Sequence, residues 1–139
     1  MPEFILNESA EAEHPFYALN EFAKGYVEAM FFTNCDCGDD NEHLANELGT
    51  EALTVESVAK ISAYCAAFER DAAALLEQAY QGDYSEEQAG RDLWFTAQGH
   101  GVGFWDRSQI GDELGEALSE LARQAGERYV EIYERQIHY

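Results

Sequence analysis

An α+β fold is what this chain predicts: two N-terminal helices and a third helix packed on a small three- or four-stranded antiparallel sheet. Three observations predict it. Apolar residues recur at alternating spacings of three and four over roughly residues 16–33 and 54–79, the period of a helix with one buried face. The stretch "WFTAQGHGVGFWDR", Trp94 to Arg107, holds both tryptophans and the glycines Gly99, Gly101 and Gly103, which reads as a tight hairpin. The tail "YVEIYERQIHY" alternates with period two, the period of a half-buried strand. Helices followed by hairpins around one core give the α+β class.

The elements follow in order. Residues 1–14 are expected to be a mobile acidic lead-in, with Pro15 opening a first helical turn. Phe16, Leu19, Ala23, Tyr26 and Met30 mark the buried stripe of a helix over 16–33. A Gly, Asn and Asp-rich loop follows. Thr54 can cap a second helix, in which Val58, Ile61, Cys65, Phe68, Ala72, Leu75 and Ala79 form a seam. The nearest partner for that seam is the first helix, which gives an antiparallel helical pair over 15–82. An intermolecular coiled coil would need a longer repeat. Ser85 to Gln88 matches a capping box and predicts one short helical turn, stopped by Gly90.

Gln98-Gly99 suits a two-residue hairpin loop, because glycine supplies the positive φ such a turn requires. Folding there pairs Thr96 with Gly101, Trp94 with Gly103 and Leu93 with Phe104, and lays the Trp94 ring over a strand glycine. A third helix is expected over 111–125, with Leu114, Leu118, Leu121, Ala122 and Ala125 on one face. A second hairpin pairs 128–133 with 136–139 around a turn at Glu134-Arg135. Residues 84–139 thus read as hairpin-helix-hairpin, and 1–139 as one domain.

Charge is the strongest compositional signal. The 139 residues carry 28 Asp and Glu against 8 Lys and Arg, a formal net charge of −20. Solubility needs a net charge of only about 2–8 in magnitude, and the excess destabilises a compact chain through self-repulsion. Direct binding to nucleic acid or to an anionic membrane is excluded on this ground, and a basic partner protein is favoured. No run of 18 apolar residues suggests a membrane span, and the N-terminus lacks a signal-peptide pattern, so a cytoplasmic location is expected. Cys35, Cys37 and Cys65 are expected to be reduced thiols. Monomer and homodimer are both open at this level.

Asp92, His100, Asp106 and Arg107 form the one grouping that resembles acid–base chemistry. In the hairpin register Asp92 falls near Trp105 at the open end and His100 at the tip, and at about 3.3 Å per strand residue His100 and Asp106 are too far apart for a direct hydrogen bond. Asp106 and Arg107 would then order the exit into the next helix. "CDCGDDNEH", Cys35 to His43, has thiols, acids and a histidine but no second ligand pair to close a zinc tetrahedron. The chain has no phosphate-binding glycine loop, nucleophile elbow or zinc-protease helix. No catalytic residue, no metal and no cofactor is therefore expected.

The block "DLWFTAQGHGVGFWDR", Asp92 to Arg107, and the "GDELGEALSELARQAGERYVEIYERQIHY" that follows resemble a family of bacteriophage and mobile-element proteins. The signature is carried by Trp94, Gly99, His100, Gly101, Gly103, Phe104, Trp105, Asp106 and Arg107. The chain has Gln98-Gly99 where that family has Asn-Gly, and it lacks the family's acidic turn in the last hairpin. The resemblance implies a phage or plasmid origin and a cytoplasmic location in a bacterial host, and carries over no catalytic residue.

Together these readings point to a non-enzymatic interaction protein whose carboxylates display charge in the manner of DNA. Its partner would be a basic host protein that binds nucleic acid, such as a defence protein. The expected contact residues are Asp36, Asp39, Asp40 and Glu42 in the loop, and Glu56, Glu69 and Glu77 on the second helix. Asp112, Glu113, Glu116 and Glu120 on the third helix complete the set. An acidic accessory protein with another partner, a small enzyme using His100 and Asp106, and adaptation to high salt are the alternatives.

Overall fold

Asn20, Thr54 and Ser85 each accept a hydrogen bond from a backbone amide three residues on, and each starts a helix. The computed structural model describes residues 14–33 and 48–139. A 3-10 turn, Pro15–Ala18, leads into α1, Glu21–Phe32; α2 spans Val55–Asp71, α3 Ala73–Tyr80, α4 Glu86–Ala97 and α5 Gly111–Ala125. Short 3-10 turns at Thr50–Ala52 and Phe104–Asp106 sit in the connections. The single sheet among the described residues pairs β1, Glu131–Tyr133, with β2, Gln136–His138.

The fold is therefore mostly helical, and the expected three- or four-stranded sheet is overturned. Residues 93–97 belong to α4 and do not form a strand. The cross-strand pairs expected for the first hairpin do not exist, and residues 84–139 fold as helix, loop, helix and hairpin. Gly99 explains the error. It has φ +78, but it ends a helix. His100 N–H donates to Phe95 C=O at 2.9 Å and Gly99 N–H donates to Thr96 C=O at 3.2 Å, the paired bonds of a Schellman C-cap. The Phe95 and His100 rings meet edge to face at 6.0 Å across it. The same glycine signal serves a hairpin tip and a helix stop.

Gly90 also differs from expectation. It lies inside α4, where a Cβ would run into the carbonyl of Phe22; a Cβ on Gly25 of α1 would likewise strike the carbonyl of Glu87. The two glycines let the α1 and α4 backbones touch. As a result α1 packs chiefly on α4, and the expected antiparallel pair of the first two helices gives way to a crossing of α1 with α4. The second helix is broken too: Ala72, at φ −104 and ψ 12, separates α2 from α3.

The core sits between α1, α2, α4 and α5. Phe22, Phe68 and Phe104 stack in a row, at 6.1 and 5.8 Å between ring centres, joining α1 and α2 to the 3-10 turn before α5. Trp94 is fully buried and donates its indole N–H to Thr33 Oγ1 at 3.0 Å. Each such ring contributes about 1.5–3 kcal/mol of burial. The last hairpin forms as expected, with Glu134 and Arg135 both at positive φ, the geometry of a type I′ turn. Its β2 strand is tied to the start of α2: Thr54 N–H donates to Ile137 C=O at 3.2 Å, and Tyr139 N–H donates to Ser57 Oγ at 2.8 Å.

Candidate functional site

The signature block builds a buried latch. Asp92 lies on α4 with no solvent exposure, and Arg107 reaches it from beyond the loop, with 24% of its side chain exposed. Arg107 Nη2 donates to Asp92 Oδ1 at 2.7 Å, and Nε lies 3.0 Å from both carboxylate oxygens. Tyr84 O–H donates to Oδ2 at 2.6 Å and Gln88 Nε2 donates to Oδ1 at 3.1 Å. Asp92 is thus paired and hydrogen-bonded on both oxygens, the condition under which a buried charge is tolerated. The Asp92 hydrogen bonds raise the Arg107 pKa above its ordinary value, against burial. Burial, with the Asp92 charge beside it, holds the Tyr84 phenol far above its ordinary pKa, so it remains a donor.

The loop between the latch partners closes on α4 through Thr96. Phe104 N–H donates to Thr96 Oγ1 at 3.2 Å, and a Cβ on Gly103 would overlap that oxygen. Gln98 ties the loop to the C-terminal segment: its amide nitrogen donates to Arg128 C=O at 2.9 Å, and its carbonyl oxygen accepts from Arg128 N–H at 2.7 Å. Phe104 is fully buried, Trp105 is 43% exposed and His100 is half-buried. Asp106 is exposed in the 3-10 turn, and Gly101 lies in the exposed loop. Arg107 pairs back to Asp92, a partner not expected from the sequence. The expected proximity of Asp92 to Trp105 through a hairpin goes with the hairpin itself.

A second polar centre is tyrosine-based. Tyr26 and Tyr139 share a hydrogen bond at 2.8 Å, and Tyr64 O–H donates to Gly126 C=O at 2.6 Å. The Arg128 guanidinium lies 4.8 Å from the Tyr64 ring centre. Burial pushes the Tyr64 phenol up to about 12 and raises Tyr26 and Tyr139 as well. Cys65 beside them is buried, and burial pushes its thiol well above the ordinary range, which makes it unreactive. Among the described residues no three His, Cys, Asp or Glu side chains are placed to hold a metal ion.

The acidic residues divide. Asp36, Asp39, Asp40 and Glu42, with Cys35, Cys37 and His43, lie outside the described residues. Glu56 and Glu77 are exposed on α2 and α3, and Asp112, Glu113, Glu116 and Glu120 are exposed on α5. Glu69 stands apart. It is half-buried, accepts from Asn20 Nδ2 at 3.2 Å, and has its carboxyl pKa raised by burial. Asn20 caps α1, so Glu69 braces that cap.

Sequence reasoning missed the latch because its partners are 15 positions apart on what looked like two strands of one hairpin. An aspartate just ahead of the apolar residues Leu93, Trp94 and Phe95, eight residues after Tyr84 and four after Gln88, was the available signal. No helix among the described residues is long and apolar enough to cross a membrane. No protein-family model matches the chain, and neither the curated proteins nor the solved structures contain a match. Fold and site define its class: an acidic helical domain in which an ion pair to the buried Asp92 locks a glycine-rich loop.

Proposed function

We propose that this is a non-enzymatic interaction protein of phage or mobile-element origin that presents carboxylates to a basic, nucleic-acid-binding host protein. The supporting observation is the outer face of α5. Asp112, Glu113, Glu116 and Glu120 are all exposed there, and among the described residues none pairs with a cation; Glu120 only accepts from Gln124. At about 1.5 Å rise per residue they span about 12 Å, or one charge per about 3–4 Å, near the roughly 3.4 Å per charge of a single DNA strand. Carboxylates with no cationic partner among the described residues give up no ion pair when they meet lysine and arginine. Association would be fast and strongly salt-sensitive.

The latch and the Schellman cap fit this reading as scaffold. They anchor the loop that precedes α5 and so fix the angle of its acidic face. The test uses the tagged protein to retain proteins from bacterial lysate at low salt, with duplex DNA as competitor. A nucleic-acid-binding protein released by DNA, and not retained by the Glu113→Lys/Glu116→Lys/Glu120→Lys variant, is the expected result. Equal retention by that variant would remove α5 as the contact face.

A further inference from the structure

A concavity of about 960 Å³ runs between α2 and α5. The two helices are antiparallel here. Phe68 reaches the Gly115 turn of α5 through the stacked Phe104, whereas Tyr64, one turn earlier on α2, bonds Gly126 just past the other end of α5. The floor is aromatic, and the α2 wall is made of Ala63 and Ala67.

The charges on this face cancel. Its lining holds Lys60 and Arg128 against Asp71 and Glu127, so it is balanced, while the whole chain carries −20. Two copies repel wherever their acidic faces meet, within a Debye length of about 8 Å at physiological salt. At a balanced face that repulsion is reduced.

The charges on α2 are also self-complementary. Lys60 and Asp71 are both exposed, at opposite ends of the wall and about 16 Å apart along the axis. A two-fold axis through the middle of that wall sets Lys60 of each copy against Asp71 of the other, with alanines between them that allow close helix approach. Among the described residues Asp71 pairs with the exposed Arg70 at 3.7 Å, and its own side chain is 65% exposed. Tyr129 supplies the knob. It is 80% exposed, the most exposed large apolar side chain among the described residues, and it follows Arg128 at the Tyr64 end of the groove. The same axis carries it over the Phe68 end of the other copy's groove, the reciprocal arrangement a two-fold interface requires. Exposed tyrosines beside a groove are characteristic anchors of protein interfaces.

We propose that the protein forms a two-fold symmetric dimer through the α2–α5 groove, with Tyr129 of each copy seated in the other's groove and Lys60 facing Asp71 across the axis. The dimer does not depend on the reading of α5 as a partner-binding face, and the experiment measures self-association alone. Sedimentation velocity on the full chain, at tens of micromolar and physiological salt, should give twice the 15.6 kDa chain mass. Tyr129→Asp and Lys60→Asp, both at exposed positions and each checked for helical circular dichroism, should weaken the dimer on the order of ten-fold or more. Lys60→Asp combined with Asp71→Lys should restore it, because the pair is re-formed with its charges exchanged. A wild-type monomer at all concentrations overturns the proposal. So does a dimer indifferent to Tyr129→Asp and Lys60→Asp, or a double variant that stays monomeric while folded.

Discussion

Residues 86–107 and residues 127–139 carry similar local signals and fold differently. Each has apolar residues in a run that accommodates period two, interrupted by a pair of turn residues. In the first region the pair is Gln98-Gly99, and it closes a helix. In the second it is Glu134-Arg135, neither of them glycine, and it closes a hairpin in which Ile132 faces Ile137. Turn chemistry alone would have assigned them the other way. The difference lies in burial: residues 92–96 are all buried, which demands a segment covered on every side, and a helix wedged between α1 and α5 meets that demand. The tail alternates between exposed and covered positions, as a strand with one dry face must.

The comparison can be broken most sharply at the latch. Arg107→Met leaves the fully buried Asp92 without its cation, and losing one partner of a buried pair costs about 3–5 kcal/mol. Asp92→Asn should cost less, because Arg107 is partly exposed and can turn to water. Urea unfolding of both variants gives the order; a loss within the ~0.5 kcal/mol of an ordinary surface change would mean that the loop is held by something else.

Gly90→Ala tests the helix crossing next. Alanine is ordinarily better than glycine in a helix by about 1 kcal/mol, yet here the added methyl meets the Phe22 carbonyl. The expected outcome is a loss of about 1–3 kcal/mol in the same assay. A more stable variant would mean that α1 and α4 are not in backbone contact.

Smaller effects come from the two turns. Gly99→Ala places a side chain at positive φ and should lose about 1–2 kcal/mol, seen as a lower melting temperature. Glu134→Asn with Arg135→Gly moves the other way. It supplies the residues that a type I′ turn prefers and should gain up to about 1 kcal/mol, with slower amide exchange in β1 and β2. Opposite signs at the two sites are the expected pattern. Were the hairpin variant destabilised, its turn would not be the strained element.

Much of the local structure was legible in the sequence. Thr54 and Ser85 announced their helices because an N-cap needs only a short polar side chain and three following residues. The bounds of α5 followed from its stripe of leucines and from Gly126, and the last turn fell at Glu134-Arg135 because the alternation has no other break. The excess of acid needed only counting. What tertiary structure decided was partnership. A glycine with positive φ fits a Schellman cap as well as a hairpin tip, and a run buried on all sides has no period to separate helix from strand. Gly90 read as a stop until the α1 backbone was placed against it. Asp92 and Arg107 stood in one grouping with His100 and Asp106, but nothing local showed that these two pair until the loop between them folded back. Dihedral preference and hydrophobic period act over a few residues and are written locally; which buried surfaces meet, and which charges end up sharing a dry site, depends on the packing of the whole chain.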